Sequence, residues 1–244
     1  MPLRLILDEP AEAAWNMAVD EALLTLGDAP TLRLYGWSPA AVSLGYFQRF
    51  ADFADLPPAT PIVRRLTGGG AIHHGDEVTF SLTADAALLP RDVAASYRLL
   101  HDAAISALAQ VGVESARQAQ GAGPGARPTD RWCFRSPVRD DVVTPRGKLM
   151  GSAQRRVDAP RPRLLHHGSL VLRRPCLTPF VAATEDAADS DPAFVGRLRH
   201  LLSEEIARAL GMITTPGGLT PAERALAAQL CTGRYRDAGF LRRR

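Results

Sequence analysis

The chain is almost without lysine. Of the 29 basic residues among its 244, 28 are arginine, and the one lysine is Lys148. Arginine and lysine replace one another on solvated surfaces, but not where a compact amine of tunable pKa is needed. A lysine retained against that background is a candidate functional residue. Cysteine is scarce too. Cys133, Cys176 and Cys231 are odd in number and far apart, which speaks against a disulfide framework or a thiolate zinc site. No apolar run approaches the roughly 18–20 residues that a membrane span requires. Residues 1–8 lack the basic-then-apolar pattern of a secretory signal. The expectation is a cytoplasmic protein with no membrane partner. A net charge of +3, spread over scattered arginines, is too weak a field to indicate nucleic acid. An acidic carrier domain suits such a surface equally well.

What is present is ordinary globular composition: 46% apolar and 23% charged, which excludes fibrous and disordered classes. No internal repeat with a period of about 20–50 residues is visible, so solenoids and propellers are excluded. Hydrophobic periodicity predicts strands at 3–7, 31–36, 41–45, 61–66, 70–74, 77–83, 140–144, 148–155 and 163–172. It predicts helices at 11–26, 93–111, 192–210 and 221–231. The Gly-Ala-Pro stretch 117–131 reads as a mobile loop, and residues 214–221 read as a turn. Clustered strands with helices between and after them predict an α+β fold, a mixed β-sheet core flanked by helices. Residues 1–244 read as a single domain with a helical C-terminal portion from about 185.

Four segments carry candidate chemistry. In RRLTGGGAIHH (64–74), Gly68, Gly69 and Gly70 leave a bare backbone whose N–H groups can approach a ligand. Arg64 and Arg65 stand before them as possible partners for a phosphate or carboxylate; a glycine-rich turn is the plainer alternative. In GKLMGSAQR (147–155), Lys148 opens a strand that continues into the small residues Gly151, Ser152 and Ala153. Small residues on a strand mark close approach of a ligand or another backbone. Cys133 lies between Trp132 and Phe134 at the exit of the loop. Such a thiol is either merely packed or, next to a cation, a thiolate nucleophile. His166-His167-Gly168 and His73-His74 form two His-His pairs without supporting carboxylate or thiolate spacing, so no metal site is expected. Adjacent strand residues face opposite ways, so one histidine of each pair is expected to face a pocket.

Together these segments resemble the biotin/lipoate protein ligase superfamily over about residues 15–175. WNMAVDEALL (15–24), RLYGWSPAAVSLGYFQ (33–48), RRLTGGGAIHH (64–74), GKLMGSAQRR (147–156) and LLHHGSLVL (164–172) stand in the family's order. The pair Cys133-Phe134 ahead of GKLMGSAQ is similar to octanoyltransferases of the LipM type. That resemblance implies a cysteine thioester intermediate on Cys133, with Lys148 lowering its pKa. It implies substrate contacts at Arg65, Gly68, Gly69, Gly70, His74, Gly151, Ser152, Ala153, His167 and Gly168. The implied donor is octanoyl-acyl carrier protein. The implied acceptor is a lysine of glycine cleavage H protein or of a lipoyl domain of a 2-oxo acid dehydrogenase. No cofactor is implied.

Two relatives give other readings. An ATP-dependent lipoate–protein ligase would use Arg65, the glycines and Lys148 to hold an acyl-adenylate, with ATP and Mg as co-substrates. An amidotransferase would move octanoyl between lipoyl proteins. A non-catalytic acyl-protein binder is a fourth reading, against which the lone lysine and the placed cysteine speak. Three features depart from the LipM pattern. Arg139-Asp140-Asp141 stands where an aromatic precedes the carboxylate, Gly75 follows His74 where Asp is common, and the loop before Trp132 has no counterpart.

Overall fold

The computed structural model describes residues 2–121, 130–159 and 161–243. The chain runs β1 (Pro2–Leu7), α1 (Ala13–Leu26), β2 (Thr31–Tyr35) and β3 (Ala41–Leu44). It continues through β4 (Ile62–Arg64), β5 (Ile72–His74), β6 (Glu77–Asp85), α2 (Val93–Gln110) and β7 (Ala116–Arg117). Then come β8 (Val142–Thr144), β9 (Gly147–Val157) and β10 (Arg163–Val171). The last part holds α3 (Pro192–Ala209), β11 (Ile213–Pro216), α4 (Pro221–Leu230) and α5 (Ala238–Leu241). Three long helices start where the sequence supplies a cap. Asp92 accepts from the Ala94 and Ala95 N–H groups, Asp191 from Phe194, and Thr220 forms a reciprocal pair with Glu223.

Eight strands form one mixed sheet in the order β11-β1-β2-β6-β10-β9-β8-β7, parallel at the β11-β1-β2 end and antiparallel elsewhere. A second sheet, β4-β3-β5, stands apart from it. The α+β fold with a mixed sheet is as expected. Alternation decides the two faces. Leu32, Leu34, Val78, Phe80, Leu82, Leu164 and Leu170 point to one side, where they pack with Leu100 and Leu108 of α2 and Leu198, Leu202 and Ile206 of α3. Ile6, Tyr35 and Leu165 point to the other, against α1, Ala227 of α4 and Cys231 just after it. The helices after residue 185 therefore enter the cores built by the earlier strands.

Two expectations need correction. Residues 214–216, read as part of a turn, belong to β11, which pairs in parallel with Pro2–Leu5. The free edge of β1 captured them, and Pro216 is tolerated because an edge strand can lack one N–H. Of the loop expected at 117–131, Arg117 is already paired with Val142 in β7–β8, and residues 122–129 lie outside the described residues. No helix among the described residues is long and apolar enough to cross a membrane.

His166 is a costly core residue. It is fully buried on the α2 side of β10, stacked on Phe80 and edge-on to Tyr97, and neither ring nitrogen has a hydrogen-bond partner among the described residues. Burial, with nearby positive groups adding to it, pushes its pKa well below the ordinary histidine value. Below about pH 6.5 the unfolded chain binds a proton that folded His166 refuses. Stability therefore falls with pH there, by up to about 1.4 kcal/mol per pH unit for this one group. His166→Leu is expected to flatten that acid limb. Thermal melts of both proteins on either side of neutrality check it, and parallel pH curves would contradict it.

Candidate active site

On the α1 side of the large sheet lies a cleft of about 430 Å³. Its walls come from α1, β2, β3, the glycine-rich segment before β5, and the middle of β9 and β10. Ten of the sequence-derived substrate and nucleophile candidates meet there: Arg65, Gly68, Gly69, His74, Cys133, Gly151, Ser152, Ala153, His167 and Gly168, while Gly70 and Lys148 stand just behind the wall. As alternation required, His74 and His167 face the cleft while His166 faces the core and His73 faces a smaller apolar pocket behind Trp132 and Phe134.

The WCF segment is clamped by its aromatics. Trp132 packs edge-on against Phe53, and Phe134 is buried with Val171, Val181 and Ala183. Its backbone lies beside Ala71, whose N–H donates to the Arg131 carbonyl (2.7 Å) and whose carbonyl accepts from Cys133 N–H (2.9 Å). Gly70 makes that approach possible. A Cβ there would sit 2.7 Å from the Cys133 nitrogen. Cys133 is thus fixed by its main chain and left with its thiol in the cleft.

Lys148 reaches the same point from β9. Its Nζ donates to Cys133 Sγ at 3.4 Å and lies 2.8 Å from Asp141 Oδ2, with the lysine side chain only 2% exposed. The butyl chain crosses directly over Gly151. A Cβ at that position would fall 2.3 Å from Lys148 Cε. Strict alternation would have sent Lys148 to the same face as Ser152, whose hydroxyl bonds His101 of α2. A register shift between β8 and β9 at Val142/Val143 intervenes: Val143 opposes Lys148 and Val142 opposes Met150, leaving Leu149 as the extra residue. Such a bulge re-aims side chains. Burial alone would push the Lys148 pKa down, but the charges of Cys133 and Asp141 outweigh it and hold it above the ordinary lysine value. The amine at the thiol is an ammonium.

The arginines ahead of the glycines are engaged by main-chain carbonyls. Arg65 spends its guanidinium on the carbonyls of Ser43, Gly68 and Gly70, and Arg64 on those of Gly45, Tyr46, Gln48 and Leu241. Arg65 shapes the glycine-rich loop from within, and Arg64 ties residues 45–48 to Leu241. Residues not anticipated include Trp37, stacked on the His74 ring at 3.7 Å, and the buried Glu77, which accepts from His74 Nδ1 (2.9 Å) and Ser169 (2.5 Å). Asp20 holds Arg33, Tyr35 and Ser81, and faces His167, whose Nε2 meets Thr67 Oγ1 at 2.7 Å. Each cleft histidine is therefore oriented between a carboxylate and a hydroxyl. Asp20 and Glu77 carried a faint sequence signal: polar residues at positions whose neighbours pattern as core. Of the departures, Asp140 points away to Arg98 and Arg117, and Gly75 and Asp76 do not line the cleft.

The chain matches the family described as Lipoyl protein ligase A/B catalytic domain, over residues 12–209. The chain belongs to that family. A LipM octanoyltransferase of Kyrpidia tusciae is 36% identical over 261 residues, covering 93% of this chain and 94% of its own. Among solved structures, a lipoate-protein ligase A bound with ATP superposes with TM-score 0.77 at 24% identity, covering 99% of each chain. A bi-partite lipoate protein ligase from Thermoplasma acidophilum, solved with its E2 lipoyl domain, gives 0.76 at 22%, covering 99% of this chain and 96% of its own. At those identities the superpositions establish the lipoyl-ligase fold and nothing more. Within the described residues, no group of three or more His, Cys, Asp or Glu is arranged to hold a metal ion.

Proposed function

We propose that this family member is an octanoyltransferase of protein lipoylation, working through a thioester on Cys133. The observation that carries the reading is the contact of the Cys133 thiol with a buried ammonium at the wall of the cleft. A cation beside a thiol favours the thiolate, which is the nucleophilic form. The similarity to LipM octanoyltransferases over nearly the whole chain supports the same conclusion. The C-terminal helices share the cores of the catalytic strands, which supports one catalytic unit over residues 1–244.

The donor in this reading is octanoyl-acyl carrier protein. The Cys133 thiolate attacks the thioester carbonyl, the carrier thiolate leaves, and an octanoyl-enzyme remains. One thioester replaces another, so the step is nearly balanced and needs no ATP. The acceptor is a lysine on glycine cleavage H protein or a lipoyl domain, whose amine then attacks the enzyme thioester. Amide formation draws that step forward. Covalent catalysis lets two protein substrates dock in turn rather than together. The octanoyl chain lies in the cleft, where burial contributes about 0.8 kcal/mol per methylene. The Lys148 ammonium stabilises the thiolate and the tetrahedral oxyanion.

The test is intact-protein mass after incubation with octanoyl-acyl carrier protein in the absence of ATP. The expected result is a gain of one octanoyl group, lost on adding the acceptor protein. No adduct, together with acceptor modification from free octanoate or lipoate plus ATP and Mg, would establish the ligase reading instead.

A further inference from the structure

Asp141 stands out because it makes the closest contact to Lys148 yet does not line the cleft. Its Oδ2 is 2.8 Å from Nζ, and its side chain is only 1% exposed. The carboxylate is itself held: Val138 N–H donates to Oδ2 at 2.8 Å, and Gln118 N–H donates to the Asp141 carbonyl at 2.7 Å. The preceding residue is the anchor. Asp140 has φ +75°, a left-handed conformation that a non-glycine residue adopts only when its surroundings impose it. Arg98 and Arg117 take its carboxylate and His101 its carbonyl. Asp140 is thereby pulled toward α2, and its neighbour is presented to the lysine. The other titratable groups around Lys148 are Cys133, Asp140, His101 and Tyr97 of α2, and Arg65 behind Cys133.

We propose that Asp141 is a positioning residue: it holds the Lys148 ammonium over Gly151 and keeps it charged while Cys133 carries the acyl group. The inference rests on the reading of Cys133 as the acyl carrier. In the free protein the ammonium sits between the Cys133 sulfur at 3.4 Å and the Asp141 carboxylate at 2.8 Å. Once the thioester forms, the sulfur carries no charge. Asp141 is then the only carboxylate paired with Lys148 among the described residues. A buried amine without a counter-charge gives up its proton.

The second half-reaction needs that charge. The acceptor nitrogen bonds to the thioester carbon and the carbonyl electrons move onto oxygen. They then return as the C–S bond breaks, leaving its electron pair on Cys133 Sγ. The proton lost by the amine balances the thiolate, so amine plus thioester becomes amide plus thiol. An ammonium 3.4 Å from that sulfur stabilises the departing thiolate; a neutral amine does not.

Because Lys148 is the only lysine, protein labelled with ¹⁵N-lysine carries a single side-chain amine signal. In the octanoyl-enzyme that signal is expected to remain that of an ammonium through the alkaline range. In Asp141→Asn it is expected to titrate at lower pH. Single-turnover transfer from isolated octanoyl-enzyme is expected to fall about 10²-fold in Asp141→Asn. The loss is steepest toward alkaline pH, octanoyl-enzyme formation is affected less, and Asp141→Glu restores transfer. Equal loss in both half-reactions with an unchanged pH profile would overturn the proposal. So would loss of the ammonium proton from the acylated wild-type protein near neutral pH, a measurement that needs no variant. An absence of any octanoyl adduct on wild-type Cys133 would overturn the transferase reading and this proposal together. An adduct with a titrating amine would overturn only the role of Asp141.

Discussion

Cys133→Ala is expected to abolish the octanoyl adduct and to lower transfer to the acceptor by on the order of 10³-fold or more, while the protein melts as the wild type does. The stability expectation follows from the way the segment is held. Its position is set by the Trp132 and Phe134 side chains and by two main-chain hydrogen bonds to Ala71, none of which involves the thiol. Removing sulfur from a partly exposed position leaves no buried void. The activity expectation follows from covalent catalysis, in which the nucleophile is the reaction path itself. Intact mass and a transfer assay on the same preparation check it. Wild-type transfer by Cys133→Ala would end the thioester mechanism and return the thiol to a packing role.

Lys148→Met is expected to cost transfer about 10²–10³-fold, through slower octanoyl-enzyme formation as well as slower onward transfer. Methionine fills the path over Gly151 without the charge, so the effect isolates electrostatics from packing. It also strands the buried Asp141 carboxylate, so a lower melting temperature is expected alongside the rate loss. Lys148→Arg is not expected to rescue. The guanidinium is broader than an ammonium, and the lysine already lies where a single Gly151 Cβ could not stand. Alkylation of Cys133 by iodoacetamide, followed by mass near neutral pH, gives a substrate-free readout: it is expected to slow in Lys148→Met. Equal alkylation rates in the two proteins would mean that Lys148 does not activate the thiol.

Both residues are legible in the sequence. Lys148 stands out by composition, and Cys133 by its position between two aromatics and by the resemblance. Most elements are legible as well, because period-2 and period-3.6 burial leaves a direct trace in a chain whose core is built on alternation. The edge strand β11 leaves none. Residues 213–216 are largely exposed and carry no alternating pattern, and only the open edge of β1 makes them a strand.

The roles of charged residues are less legible than their presence. Arg64 and Arg65 look like anion binders in the sequence, yet the Arg65 guanidinium holds the Gly68 and Gly70 carbonyls and that of Arg64 the Gly45, Tyr46 and Gln48 carbonyls. Asp140 and Asp141 look like a single departure from a family pattern. They split into an anchor toward α2 and a partner for the lysine. A sequence shows which charges exist, but pairing depends on which strands end up adjacent.

What the sequence by itself determined is the set of elements, the face each strand buries, and the chemical groups available: one amine, one thiol between aromatics, a stretch of bare backbone. What only the tertiary structure decided is their convergence. Fifteen residues separate Cys133 from Lys148, and a bulge against β8, invisible to any periodicity, turns the lysine from the core face to the cleft face. Gly70 then admits the Cys133 backbone and Gly151 the Lys148 side chain, so that thiol and amine meet at 3.4 Å, because at both positions even a methyl group would occupy the space needed.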